Sequence, residues 1–158
     1  MRPVLIVCDG TSATAAAVRV LAAEARRDNP PNLHLVNVQP AFGLYIGHLV
    51  GGRAIRDWQR ENGCQALSSV RAVLDAAGLP YTTHLRAGEE AASVAKLAEE
   101  LGAGEIIVAG EGGGLIDRLA RRLMLARIIR RAQVPVTVVK WPKPIYARGW
   151  RFGRWRST

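Results

Sequence analysis

The apolar residues of this chain fall into short continuous runs separated by longer, helix-forming stretches. The run "PVLIVCD" at 3–9 and the run "EIIVAG" at 105–110 have the unbroken apolar character of parallel strands covered on both faces. Three further strands are predicted at 33–38, 81–86 and 134–140. Five strands spaced in this way predict one buried sheet.

The stretches between these runs predict four helices, and their alternation with strands sets the fold class. The helices are expected at 12–27, 53–77, 88–104 and 115–132, whereas the uncharged, glycine-rich segment 39–52 predicts a loop, a lid or a partly helical excursion. Thr11 or Ser12 is expected to cap the first helix, and Glu89 and Glu90 to lie in the first turn of the third. The pattern predicts a single-domain α/β fold, an open doubly wound parallel five-stranded sheet with helices on both faces.

In such sheets ligands bind outside the carboxyl ends of the strands, where the strand order reverses. Four pairs of residues follow the predicted strands at that edge: Asp9-Gly10, Val38-Gln39, Arg86-Ala87 and Ala109-Gly110. The last pair opens the segment "GEGGG" at 110–114, a glycine-rich loop of the kind that can cradle a phosphate.

Taken in order along the chain, these motifs resemble those of the universal stress protein family. The matching stretches are "VCDG" at 7–10, "NV" at 37–38, "IIVAGEGGGL" at 106–115 and "IIRRAQVPVTVV" at 128–139. The resemblance covers residues 3–140. It implies the strand order 3-2-1-4-5 and a homodimer formed by the fifth strand, here through Val136, Thr137, Val138 and Val139. The alternative is that this edge is covered by the residues that follow it.

The resemblance also implies a site for ATP or another adenine nucleotide such as AMP, with no metal beyond nucleotide-bound magnesium. Its family motif is G-x-x-G, nine residues, then G-[ST]. Gly110, Gly112 and Gly113 supply the first half, but the chain reads Leu123-Met124 where the second half belongs. The remaining cofactor-binding residues implied by the resemblance are the carboxylate of Asp9 and the backbone of Val38.

Several features of this site have a second interpretation. Asp9 could equally cap the first helix. Glu111 and Asp117 place carboxylates where phosphates would lie, which opposes binding of a triphosphate. Arg121 and Arg122 could replace the lost G-[ST] as phosphate partners, or could form a solvated basic face. The sequence therefore predicts a degenerate nucleotide site.

The sequence lacks the residue patterns of an enzyme. It contains no G-x-S-x-G elbow, no complete phosphate-binding P-loop and no metal-ligand spacing among its three histidines. His34 and His84 fall on strands that are neighbours in the family order, and they are expected to form a structural pair. Cys8 and Cys64 are expected to be reduced and structural. No catalytic residue and no metal site is predicted.

Basic residues are concentrated towards the end of the chain. The net charge is +9; residues 117–133 carry +5 and residues 140–158 carry +6, so the remainder is slightly acidic. Residues 1–140 are read as the α/β domain and 141–158 as a tail in which aromatic and basic residues alternate. Between Trp141 and Arg156 this tail suits an anionic membrane surface, single-stranded nucleic acid, or its own dimer.

These observations predict a cytoplasmic, dimeric, non-catalytic binding or regulatory module resembling universal stress proteins, with an unknown protein partner. Two alternatives stay open. One is a peripheral adaptor that binds an anionic membrane or nucleic acid through its tail. The other is a weak ATP hydrolase, which the missing G-[ST] disfavours.

Overall fold

The five predicted strands form one parallel sheet. In the computed structural model, which describes residues 2–25, 30–43, 50–110 and 115–140, the order along the sheet is β3-β2-β1-β4-β5. The strands are β1 (Val4–Val7), β2 (Leu33–Gln39), β3 (Tyr81–Ala87), β4 (Glu105–Gly110) and β5 (Val136–Lys140). The predicted fold class and strand order are confirmed.

Four helices connect these strands within the described part of the chain. They are α1 (Ser12–Glu24), α2 (Gly52–Ala77), α3 (Glu90–Leu101) and α4 (Leu115–Arg131). Thr11 caps α1, as predicted. Glu89 was expected inside the first turn of α3, but it lies outside the helix as its N-cap. Gly78 ends α2 with a φ of +66°, a left-handed conformation that glycine adopts without strain.

Helix α3 is shorter than the predicted 88–104, because Glu89 caps its start and Gly102 ends it. Three further elements also differ from their predicted boundaries. Strand β5 begins at Val136 instead of 134, since Pro135 has no N–H for the ladder, although its carbonyl still accepts from Ile106 N. Strand β1 spans only Val4–Val7, because the chain leaves the ladder at Asp9. Helix α1 ends at Glu24, where the next residue turns to an extended conformation.

The central strands of the sheet are buried on both faces, which explains their unbroken apolar runs. On one face Ile6 and Leu35 pack with α1 and α2. On the other face Leu5 and Val36 pack with α3 and α4, where Ile128 is fully buried. Successive residues of a strand point to opposite faces, so neighbouring side chains serve the two core layers.

Two sequence expectations fall largely outside the described residues. They concern the segment 44–49 of the predicted loop and the tail 141–158. Of the lid, Phe42 is described and packs edge-on against Trp58 of α2, with ring centroids 5.3 Å apart. Among the described residues, no helix is both long and apolar enough to cross a membrane.

Candidate functional site

The candidate site lies at the carboxyl end of β1, beside the place where the strand order reverses. Strand β1 pairs with β2 on one side and with β4 on the other, so the connections that leave β1 and β4 diverge there. Gly10 makes the turn with a φ of +80°. A Cβ on Gly10 would lie 3.2 Å from the Ala66 Cα of α2, so glycine also permits this close approach.

Asp9 is the centre of a hydrogen-bond cluster. Its Oδ1 accepts from Thr11 N at 3.0 Å, from Thr11 Oγ1 at 2.7 Å and from Thr14 Oγ1 at 2.7 Å. Thr11, not Asp9, caps α1, through a bond from Thr14 N. The interpretation of Asp9 as the helix cap is therefore wrong. Asp9 instead accepts hydrogen bonds from Thr11, the residue that caps the helix.

The other carboxylate oxygen of Asp9 forms an ion pair with Arg121 of α4. Arg121 Nη1 donates to Asp9 Oδ2, and it also lies 3.3 Å from the carbonyl oxygen of Ala109 at the end of β4. Only 17% of the Arg121 side chain and 20% of the Asp9 side chain are exposed. The interpretation of Arg121 as part of a solvated basic face is wrong, whereas Arg122 is exposed as that interpretation requires.

The pKa values of Asp9 and of the nearby Glu90 are shifted in opposite directions. Burial by itself raises the pKa of Asp9, but the hydrogen bonds from Thr14, Thr11 and Arg121 outweigh it and hold that pKa below its usual value. Burial raises the pKa of Glu90 at the start of α3, and repulsion by Asp9 adds to the shift. The site thus holds one carboxylate firmly ionised and disfavours ionisation of the second.

Arg121 retains a donor that nothing in the described structure uses. Its Nε is buried and has no hydrogen-bond partner among the described residues. A buried unpaired donor is unfavourable because it has lost its water without gaining an acceptor. The arrangement can therefore accept an anionic or carbonyl oxygen from a ligand at this point.

The end of β2 supplies a polar group that sequence reasoning missed. Asn37 is buried, donates from Nδ2 to the Cys8 carbonyl at 2.7 Å, and accepts from Gln39 Nε2 at 2.6 Å. An asparagine inside the apolar run "LHLVNV" was the available signal, since buried amides are kept where they have partners. Val38, the predicted adenine contact, follows Asn37 and is half-buried against the core.

The phosphate end of the predicted site is only partly described. Gly110 ends β4 opposite Lys140, but Gly112, Gly113 and the carboxylate of Glu111 lie outside the described residues. The side chain of Leu123 is 53% exposed, and Met124 packs against the core. The two residues that replace the family's G-[ST] therefore offer no polar side chain to a phosphate.

His34 and His84 form the predicted pair. His34 Nδ1 lies 2.9 Å from His84 Nε2, and the rings stack with centroids 5.2 Å apart. Burial lowers the pKa of both rings, and for His84 the charges of His34 and Arg86 lower it further while Glu100 opposes them. Among the described residues, no group of three or more His, Cys, Asp or Glu could hold a metal ion.

We expect this histidine pair to make stability depend on pH below neutrality. Each folded-state pKa lies below its unfolded value, so the contribution to stability is present above the usual histidine pKa of about 6.5 and is lost as the pH falls below it. Urea unfolding at about pH 7.5 and 5.5 should show a loss that is smaller in His84→Gln than in the wild type. The raised pKa of Glu90 acts on stability in the opposite direction, so the difference between the two proteins is the informative quantity. An equal loss in both would contradict the expectation.

The cysteines are both free thiols. Burial raises the pKa of the Cys8 thiol to about 12, with a further contribution from Asp9. Cys8 is therefore protonated at neutral pH and unsuited to be a nucleophile. Cys64 is exposed on α2.

Comparison with known proteins agrees with this geometry. The sequence pattern of the universal stress protein family matches residues 1–140. The chain belongs to the universal stress protein family. Universal stress protein MJ0531 of Methanocaldococcus jannaschii is 28% identical to it over 111 residues, which are 70% of this chain and 64% of that relative.

Solved structures of universal stress proteins share the fold at low sequence identity. One such protein in complex with cAMP has a TM-score of 0.65 and 20% identity, covering 87% of this chain and 96% of its own. A universal stress protein family protein of Arabidopsis thaliana with AMP bound has a TM-score of 0.62 and 13% identity, covering 90% and 93%. At these identities the similarity concerns the fold.

Proposed function

We propose that this universal stress protein is a dimeric, non-catalytic regulatory module that binds an adenine nucleotide in the crevice at Asp9. The observation that carries the proposal is the buried Asp9–Arg121 pair beside the reversal of strand order, with an unused donor on Arg121. Proteins of the same fold have been solved with cAMP and AMP.

Each end of the nucleotide has candidate partners. At the adenosine end these are the Asp9 carboxylate and the backbone of Val38. At the phosphate end they are the backbone N–H groups of Gly110, Gly112 and Gly113, with Arg121 and Arg122 supplying the charge that the missing G-[ST] cannot. Magnesium would enter only with the nucleotide.

We expect Arg121 to change partners when this site fills. Asp9 accepts from the threonines through Oδ1 and from Arg121 through Oδ2, so a nucleotide would compete with Arg121 for Oδ2. We infer that a bound phosphate attracts the guanidinium and frees Oδ2 for the nucleotide. A guanidinium has five N–H donors in a fixed fork, so it can contact a phosphate through two of them.

The dimer is proposed to form through the edge of the sheet at β5. Strand β5 pairs with β4 on one side only, among the described strands. Its residues Val136, Thr137, Val138 and Val139 are half-buried. An apolar edge strand of this kind favours pairing with a second copy.

Non-catalysis is proposed because the described residues of the site offer binding groups and include no activated nucleophile. The one thiol at the crevice, Cys8, is protonated, and Asp9 is occupied by its hydrogen bonds. A slow hydrolase is the competing outcome of the experiment below.

Native mass spectrometry of protein purified gently, without added ligand, tests this function. We expect a species of twice the 17.1 kDa chain mass that carries one adenine nucleotide per subunit. Titration with ATP or AMP should then show Arg121→Ala binding about tenfold more weakly, because a charged hydrogen bond to phosphate is lost. Arg19→Ala on α1 is the charge-matched control.

Three results would count against parts of the proposal. A ligand-free monomer that also gives no heat with millimolar nucleotide would contradict it entirely. Tighter binding by Arg121→Ala would show that the arginine blocks the site instead of contacting phosphate. Conversion of added ATP to ADP would contradict the non-catalytic function and favour the slow hydrolase.

A further inference from the structure

The structure holds a second opening, which the nucleotide proposal does not use. It is a cleft of about 430 Å³ lined by Glu89, Arg127, Arg130 and Arg131. Among the described residues, three arginines and a single glutamate therefore line it. Arg121 and Arg122 are not part of this lining, so the basic cleft, as we call these four residues, is distinct from the proposed phosphate partners.

The carboxylate of Glu89 in the basic cleft already accepts hydrogen bonds from the start of α3 and pairs with an arginine. Glu89 accepts hydrogen bonds from Ala92 N at 2.9 Å and Ala91 N at 3.3 Å, which caps α3. It also forms an ion pair with Arg131. The hydrogen bond from Ala92 lowers the pKa of Glu89, and Arg131 lowers it further, so this group stays ionised at neutral pH.

The other two arginines of the basic cleft are not neutralised within the described structure. Arg127 and Arg130 have no carboxylate within salt-bridge distance among the described residues. They are three residues apart on α4, so they share one face of the helix and their charges repel. A bound anion would relieve this repulsion.

We propose that the basic cleft binds a small anion bearing phosphate groups, with Arg127 and Arg130 as its direct partners. The volume lies within the range of pockets for small molecules. Phosphate is the favoured group because the guanidinium fork matches two of its oxygens at once. Glu89 limits the affinity, since it holds Arg131 and opposes the anion.

Calorimetric titration of the full chain with inorganic pyrophosphate at low ionic strength tests this inference. We expect saturable binding that weakens about tenfold in Arg130→Ala, where one charged contact is lost. Arg19→Ala removes an exposed arginine of α1, outside the cleft, and should change affinity by less than about twofold. Arg121→Ala reports separately on the phosphate end of the site at Asp9.

Glu89→Gln gives a result that loss of folding cannot imitate. The amide oxygen can still accept from the N–H groups of Ala91 and Ala92, but the negative charge is gone and Arg131 is released. Pyrophosphate should therefore bind more tightly, by about threefold or more, with little change in melting temperature.

The inference would be overturned by the absence of saturable binding in the wild type, or by equal losses in the Arg19 and Arg130 variants. Weaker binding by Glu89→Gln would overturn it as well. Loss of pyrophosphate binding in Arg121→Ala would place the anion at Asp9 instead. None of these results depends on whether an adenine nucleotide binds.

Discussion

Replacing Asp9 by alanine is expected to lower the free energy of unfolding by about 3 kcal/mol or more. The substitution leaves the Arg121 guanidinium mostly buried without its carboxylate, and it leaves three donors of Thr11 and Thr14 without an acceptor. A buried charge that loses its partner is far costlier than an exposed one. Chemical denaturation at pH 7 measures the loss.

Asp9→Asn separates the two roles of this side chain. Asparagine keeps the Oδ1 acceptor for the threonines but presents an N–H₂ group to Arg121. If the ion pair supplies most of the stability, this variant should lose nearly as much as Asp9→Ala. If Asp9 acts mainly by holding the capping residue Thr11, it should remain close to the wild type.

A double-mutant cycle with Arg121→Ala then measures the pair itself. The double variant should be less destabilised than the sum of the two single variants by about 1 kcal/mol or more, because it leaves no buried charge unpaired. Strict additivity of the two losses would contradict the ion pair.

The pH dependence of Asp9 has a definite sign. Its folded-state pKa lies below the unfolded value of 3.8, so its contribution to stability is present above pH 3.8 and is lost as the pH falls through the folded-state pKa. The difference in stability between wild type and Asp9→Asn should therefore shrink in acid. A constant difference down to the lowest accessible pH would exclude ionisation of Asp9 as its source.

The sheet could be predicted from the sequence because its signal is periodic and local. Apolar runs such as "VLIV" in β1 are covered on both faces, so every position in the run is apolar. Strand ends were less predictable. They depend on single groups, such as the missing N–H of Pro135 and the departure of the chain at Asp9.

The candidate site could be located from the sequence, but its contacts could not. Asp9 follows a strand, and that placement alone predicts the functional edge of the sheet. The pairing of Asp9 with Arg121 joins residues 112 positions apart, and no periodicity encodes such a contact. The sequence alone therefore allows an arginine on α4 to be a phosphate partner or part of a solvated face. In the structure, Arg121 is mostly buried and pairs with the carboxylate of Asp9. Asn37 was overlooked for a related reason, since its partner is a backbone carbonyl of another strand.

Replacing Ile128 by alanine is expected to destabilise the chain by about 3 kcal/mol, because its side chain is fully buried where α4 packs on the core. Its neighbours in that core layer include Leu5, Val36 and Val94, and the cavity left behind would weaken their contacts as well. Ile129→Ala is a matched control, since that side chain is 54% exposed and its loss should cost less than about 0.5 kcal/mol. Denaturation of both variants in parallel makes the comparison, and similar losses would contradict the burial.

Ile128 also bears on function, because the same helix carries Arg121 and the arginines of the basic cleft. Helix α4 has arginine at six of its seventeen positions. Repulsion between these like charges lowers the stability of the helix by itself. Its position therefore depends on the core contacts of Ile128, Met124 and Leu125. If that dependence holds, Ile128→Ala should weaken the Asp9–Arg121 coupling measured in the double-mutant cycle. Retention of the full coupling in the Ile128→Ala background would show that the ion pair holds α4 in place without the core.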